Sequence, residues 1–221
     1  PEPLQPQPPL DPRVEPLRAL FEKVGAECVV EEGILRAEVL GLEVARVESE
    51  DDSPRLAVGV GKHDREAQRE VRGDRQGADE LFEVIRLVAE HRVPTGFGHA
   101  AYHLAPERWL RSVVVRRPEL VGAQHLEPAP SPVAREDLRQ LAQAPAAGVD
   151  LDGEPLLVVC SVGIDVDLVP AAADAWLADG RQPRLVFCLP TGDDHPVTRG
   201  LAEALVMPAE IVTVPEDWRG L

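Results

Sequence analysis

Two short segments concentrate the side chains that could do chemistry: SVGIDVD at 161–167, with Asp165 and Asp167, and PTGDDHP at 190–196, with Asp193, Asp194 and His195. Each follows a continuous apolar run, LLVVC at 156–160 and LVFCL at 185–189. If those runs are neighbouring parallel strands, both segments leave their carboxyl ends, where open α/β sheets bind ligands. Four carboxylates and one imidazole would then meet at one sheet edge. Hard oxygen ligands crowded there would suit Mg²⁺ or Mn²⁺, which could position a phosphate or activate water. Without a cation, the carboxylates would repel and raise one another's pKa. The metal expectation therefore names Asp165, Asp167, Asp193, Asp194 and His195. Helix capping explains the same residue types: Asp167 directly precedes an apolar helix at Leu168, and Asp194 precedes His195-Pro196. Capping is the favoured reading, with Asp167 turned to its helix and Asp165 and Asp193 pointing outward for a ligand.

A second cluster is Gly59-Val60-Gly61-Lys62-His63-Asp64-Arg65-Glu66, after one strand and before a predicted helix. Gly61 and Lys62 at a helix start could hold an anion. His63, Asp64 and Glu66 are candidates for acid–base chemistry or ligation. The spacing is not that of a phosphate-binding loop, since no Ser or Thr follows the lysine, and a lone Gly-x-Gly is weak as a dinucleotide signature. A solvated turn capped by Asp64 is the simpler account. His99 and His103 stand four apart, as in zinc-binding helices, but without the glutamate of a His-Glu-x-x-His motif. The three cysteines, Cys28, Cys160 and Cys188, lie in apolar runs without Cys-x-x-Cys spacing and read as reduced and structural.

The elements that must position these groups divide into halves. Asp11-Pro12 opens a helix carrying Val14, Leu17, Leu20, Phe21 and Val24, and Gly25 stops it. Short alternating runs follow at 26–30, 35–39, 42–47 and 56–60, predicting antiparallel strands. Leu81, Phe82, Ile85 and Val88 share one face of a middle helix. A second helix runs around 107–117, where Arg108, Arg111, Arg116 and Arg117 read as a solvated face around Trp109. From 147 onward, continuous apolar strands alternate with helices at 168–177 and 196–206, the pattern of a parallel sheet covered on both faces. The fold class is thus α/β: an N-terminal α+β region with antiparallel strands and a C-terminal parallel βαβαβ unit. The expected domains are a disordered lead at 1–12, the α+β region at 13–122, a proline-rich linker at 123–146 with a short helix near 135–143, and the βαβαβ unit at 147–221. The two halves could complete one domain.

Composition bounds the partners. The chain has 221 residues and a formal charge of −16, which repels phosphate backbones and makes nucleic acid an unfavoured partner. No run approaches 18 apolar residues, so no membrane span is expected. VGKHDREAQ at 60–68, VCSVGIDVDLVPAAADA at 159–175 and HPVTRGLAEAL at 195–205 resemble segments of a conserved bacterial family of actinobacterial type. The resemblance spans most of residues 14–219. It implies a bacterial, cytoplasmic protein, and because that family carries no assigned activity it implies no substrate or catalytic residue. No complete catalytic constellation is present. The expected function is therefore a cytoplasmic protein that binds a protein partner or small molecule without catalysis. The alternative is a hydrolase of phosphate-containing substrates, dependent on Mg²⁺ or Mn²⁺.

Overall fold

The computed structural model describes residues 8–50, 53–72, 77–131, 142–207 and 209–221. The chain divides into two compact units, Gln7–Leu104 and Ala105–Leu221. No helix among the described residues is long and apolar enough to cross a membrane.

In the first unit the Asp11 carboxylate accepts the Arg13 N–H at 2.9 Å and starts a 3-10 turn at Pro12–Val14, at the end of the expected lead. Residues 1–7 of that lead lie outside the described residues. Helix α1 (Glu15–Lys23) follows and buries Phe21. Strands β1 (Glu27–Glu31), β2 (Ile34–Val39), β3 (Leu42–Glu50) and β4 (Ser53–Val58) form an antiparallel sheet in that order. Gly41 shares the β2–β3 turn with Leu40, both with positive φ (76° and 50°). That is the backbone a two-residue hairpin of matching twist requires. The bulge falls on Val44: Ala37 pairs Ala45 and Glu38 pairs Glu43, leaving Val44 as the extra residue.

Helix α2 (Gly61–Arg72) leaves β4, and α3 (Ala78–His91) packs against β2, β3 and β4 through buried Leu81, Ile85 and Val88. One turn of helix, α4 (Ala100–His103), completes the unit. Arg92, directly after α3, is buried. Its guanidinium donates to the carbonyls of Ala101, Leu104 and Leu40 at 2.7–2.8 Å, joining the β2–β3 turn to the α4 segment.

The second unit opens with α5 (Pro106–Arg116), followed by β5 (Ala123–Pro128), β6 (Ala144–Asp150), β7 (Pro155–Cys160), α6 (Leu168–Asp179), β8 (Arg184–Pro190), α7 (Pro196–Glu203) and β9 (Glu210–Val214). The sheet order is β5-β6-β7-β8-β9. Strands β7, β8 and β9 are parallel neighbours, so the expected βαβαβ unit is present. An antiparallel hairpin, β5 and β6, extends it, making the sheet mixed. The extended linker expected at 123–146 is corrected in part: its first residues form β5 and its last belong to β6. Residues 132–141, which hold most of the predicted short helix, lie outside the described residues. On one face, Leu157, Val159, Leu185, Phe187 and Leu189 pack under α6 and α7. On the other, α5 lies against β5, β6 and β7, and Trp109 meets Trp218 edge-to-face at 5.9 Å.

That second cover corrects the expectation for α5. Arg108 and Arg111 are buried, Arg111 to 1% exposure, together with Trp109 and Ser112. The helix is enclosed along Glu107–Val114, where the last turn, Trp218–Gly220, packs against it, while Arg116 is exposed as expected.

Candidate functional site

The carboxyl ends of β7, β8 and β9 form a crest, and the two acidic loops meet there. The loop after β7 turns at Gly163, φ +82°. The Gly163 N–H donates to Asp193 Oδ2 at 2.7 Å, joining the loop after β7 to the loop after β8. Asp165 Oδ1 accepts the Asp167 N–H at 2.9 Å, and its Oδ2 accepts the Gln143 side-chain amide. The loop after β8 is tied to the segment after β9 as well: the Thr191 hydroxyl donates to the Val214 carbonyl at 2.9 Å, and the Gly192 N–H donates to the Glu216 carboxylate.

The capping assignments shift by one or two residues. Asp167 occupies the N-cap position of α6 without a side-chain hydrogen bond to it; Asp165 receives the Asp167 N–H instead. His195, not Asp194, caps α7, its Nδ1 accepting the Val197 N–H at 3.2 Å. Asp194 pairs with Arg199, and the carboxylate beside that guanidinium holds the Arg199 pKa above its usual value. Asp165 and Asp193 do not project freely outward, since both accept hydrogen bonds that shape their loops. Of the expected metal ligands Asp165, Asp167, Asp193, Asp194 and His195, four thus have separate partners, and Asp167 stands at the start of α6 without a side-chain bond to it. Among the described residues no three His, Cys, Asp or Glu side chains are arranged to hold a metal ion.

Other groups at the crest are apolar and outward. Ile164 is 62% exposed and Val166 67%, alternating with the aspartates of one loop, and Val197 opens the exposed side of α7. Beneath them lie two buried polar groups, Gln143 and Ser161. Gln143 Oε1 and Ser161 Oγ have no hydrogen-bond partner. The sequence assigns neither a role at the crest. A glutamine and a serine beside apolar strands carry no motif, and Gln143 meets Asp165 only because β6 runs back beside β7.

The cluster at the start of α2 is spread along an exposed helix. Asp64 Oδ2 reaches back to the Val60 N–H at 2.7 Å, so Asp64 caps from inside the first turn. Lys62 and His63 both lean toward Glu66, at 3.9 and 3.6 Å, with the His63 side chain almost wholly in solvent. Gly61 begins the helix with φ +77°. Nothing encloses a ligand among these side chains. His99 and His103 do not converge either. His99 Nδ1 accepts the Ala101 N–H at 3.2 Å and its ring stacks on His91 at 3.7 Å, while His103 Nε2 meets the Phe97 carbonyl at 2.8 Å.

A charged cluster that the sequence did not disclose lies on the first sheet. Glu43 is buried and accepts from three arginines: Arg46 at 2.7 Å, Arg65 at 2.8 Å and Arg36 at 2.9 Å. Arg36 also pairs with Glu32 at 3.2 Å and approaches Glu31 at 3.8 Å. Burial pushes the Glu43 carboxyl up, but the Arg46 hydrogen bond and the charges of Arg46, Arg36 and Arg65 outweigh it and hold its pKa below the usual glutamate range. The bulge at Val44 brings Glu43 and Arg46 to one side of β3. The cluster is closed and mutually neutralising, which fits a structural role.

No family model matches the chain, and neither a curated protein nor a solved structure proves similar to it.

Proposed function

We propose that the protein is a non-catalytic binding module whose crest, at the carboxyl ends of β7, β8 and β9, receives a partner protein. One observation carries the reading: Asp165 and Asp193 are tied to the backbone of the loop after β7 and to Gln143, while that loop presents Ile164 and Val166 to solvent. Loops fixed by internal hydrogen bonds lose little entropy on docking, so exposed apolar side chains held on them are pre-organised contacts. Catalysis would instead call for carboxylates or imidazoles gathered and available to a substrate, whereas at the crest Asp165, Asp193, Asp194 and His195 are engaged in turns, an ion pair and a cap. Three cysteines embedded in apolar surroundings suit reduced thiols, which supports a cytoplasmic setting.

Site-specific photo-crosslinking in cells tests the proposal. A benzophenone side chain at Ile164 or Val197 should give the same discrete heavier species, whereas one at Asp152, in the β6–β7 turn, should not. Val166→Asp should remove that species without changing the melting temperature. A pattern from Ile164 indistinguishable from that at Asp152 would refute the reading.

A further inference from the structure

We infer that the crest seats one cationic side chain of the partner, a guanidinium or ammonium group, among Asp165, Asp193, Gln143 and Ser161. This inference rests on the crest being the partner surface. Ala144 pairs with Cys160 across β6 and β7, and Gln143 and Ser161 each stand one residue beyond that last pair, at the same end of the two strands. Gln143 is 5% exposed and Ser161 1%. The Gln143 Nε2 donates to Asp165, so Oε1 of the same planar amide lies beside that carboxylate, buried and without a donor. Ser161 Oγ is likewise buried and unpartnered. Buried polar oxygens in native proteins find partners almost without exception, so two neighbours lacking donors mark a place where donors are supplied from elsewhere.

Charge identifies the donor. Asp165 and Asp193 are held by backbone N–H groups and one neutral amide, and the Asp167 side chain makes no hydrogen bond to its helix; among the described residues, the cation paired with a carboxylate of these two loops is Arg199, on Asp194. An anion would face three carboxylates. A divalent metal would compete with the N–H groups already on both Asp165 oxygens and on Asp193 Oδ2. A guanidinium carries positive charge and five N–H donors in a fixed fork, and can serve carboxylate, amide and hydroxyl oxygens together. Ile164 and Val166 would flank its aliphatic stem.

The test titrates the ¹⁵N-labelled full chain with N-acetyl-arginine methylamide, with its neutral citrulline counterpart, and with MgCl₂. The arginine compound should shift the Gly163, Asp165 and Asp167 amides and the Gln143 side-chain amide. Citrulline should bind at least about tenfold more weakly, as should arginine to Asp165→Asn or Ser161→Ala, the loss expected for one charge-assisted hydrogen bond. Ser161→Ala changes little volume and guards against an Asp165 variant that fails to fold. Equal shifts with citrulline, tighter binding of Mg²⁺ to the same amides, or no shift with any probe would each overturn the inference; in the last case a trapped water satisfies Gln143 and Ser161. If the Ile164 crosslink persists while arginine binds no better than citrulline, the cation assignment fails and the partner surface stands. If arginine binds but no crosslink forms, the partner reading fails instead.

Discussion

The Asp193 carboxylate, in the loop after β8, accepts the backbone N–H of Gly163, in the loop after β7, at 2.7 Å. One side chain thereby couples the ends of two parallel strands and sets where Ile164 and Val166 are displayed. Asp193→Ala removes a hydrogen bond to a charged acceptor and should cost about 1.5–3 kcal/mol. Asp193→Asn keeps an acceptor oxygen and should lose roughly half of that, as neutral hydrogen bonds are about half as strong. Urea unfolding reports the stability and amide exchange at Gly163 reports the local bond. Were repulsion among the loop carboxylates dominant, both variants would instead be more stable than the parent.

Much of the second unit was legible because β7 and β8 are buried on both faces, which writes an uninterrupted apolar run into the sequence. Strand β5 was not. It lies at the sheet edge, where Gln124, His125 and Glu127 are exposed and a proline at 128 is tolerated, so the segment imitates a linker. The residue types at the crest were recognised, but their roles were not. Whether Asp165 or Asp167 takes a given N–H depends on a loop turning at Gly163, and spacing carries no record of it. The burial of Trp109 involves Trp218, more than a hundred residues away. The arginines around Glu43 come together through a bulge, and a bulge inverts the face assignment that strict alternation predicts.

The Glu43 cluster should dominate the stability of the first unit. Glu43→Gln leaves Arg36 and Arg65 buried without their shared carboxylate, at a cost of about 3–5 kcal/mol. Because the folded pKa of Glu43 is depressed, its contribution is complete above the ordinary glutamate value of 4.5 and is lost as pH falls through the lower folded value. The stability gap between parent and variant, measured by urea unfolding, should be flat from neutral pH down to about pH 5 and close only in stronger acid. A gap that closes near neutrality would contradict the assignment.

Two glycines should respond oppositely to alanine. A Cβ at Gly148, in β6, would lie 2.0 Å from the His125 carbonyl oxygen, where β5 is bulged. Neither backbone can yield without losing ladder hydrogen bonds, so Gly148→Ala should cost about 2–3 kcal/mol or more. Gly200 sits in α7 with open space around its Cβ. Gly200→Ala should stabilise by about 0.5–1 kcal/mol, the helix-propensity difference. Melting temperatures that move the same way in both variants would refute this.

Cys160 and Cys188 are register partners on adjacent parallel strands, both fully buried. Burial, and then the neighbouring Cys188 thiol, push the Cys160 pKa well up, against the weaker pull of Arg111. Burial raises half-buried Cys28 to about 11. The thiolate is the reactive form, so at pH 8 Cys28 has roughly one part in a thousand available. A chromogenic aromatic disulfide should therefore label Cys28 slowly in native buffer. Cys160 and Cys188 should stay unmodified until the second unit unfolds, and their labelling in urea should follow the loss of tryptophan fluorescence, since Trp109 and Trp218 cover the same sheet face. Labelling of either buried thiol ahead of that signal would mean the α5 face opens on its own, as a unit less stable than the sheet beneath it.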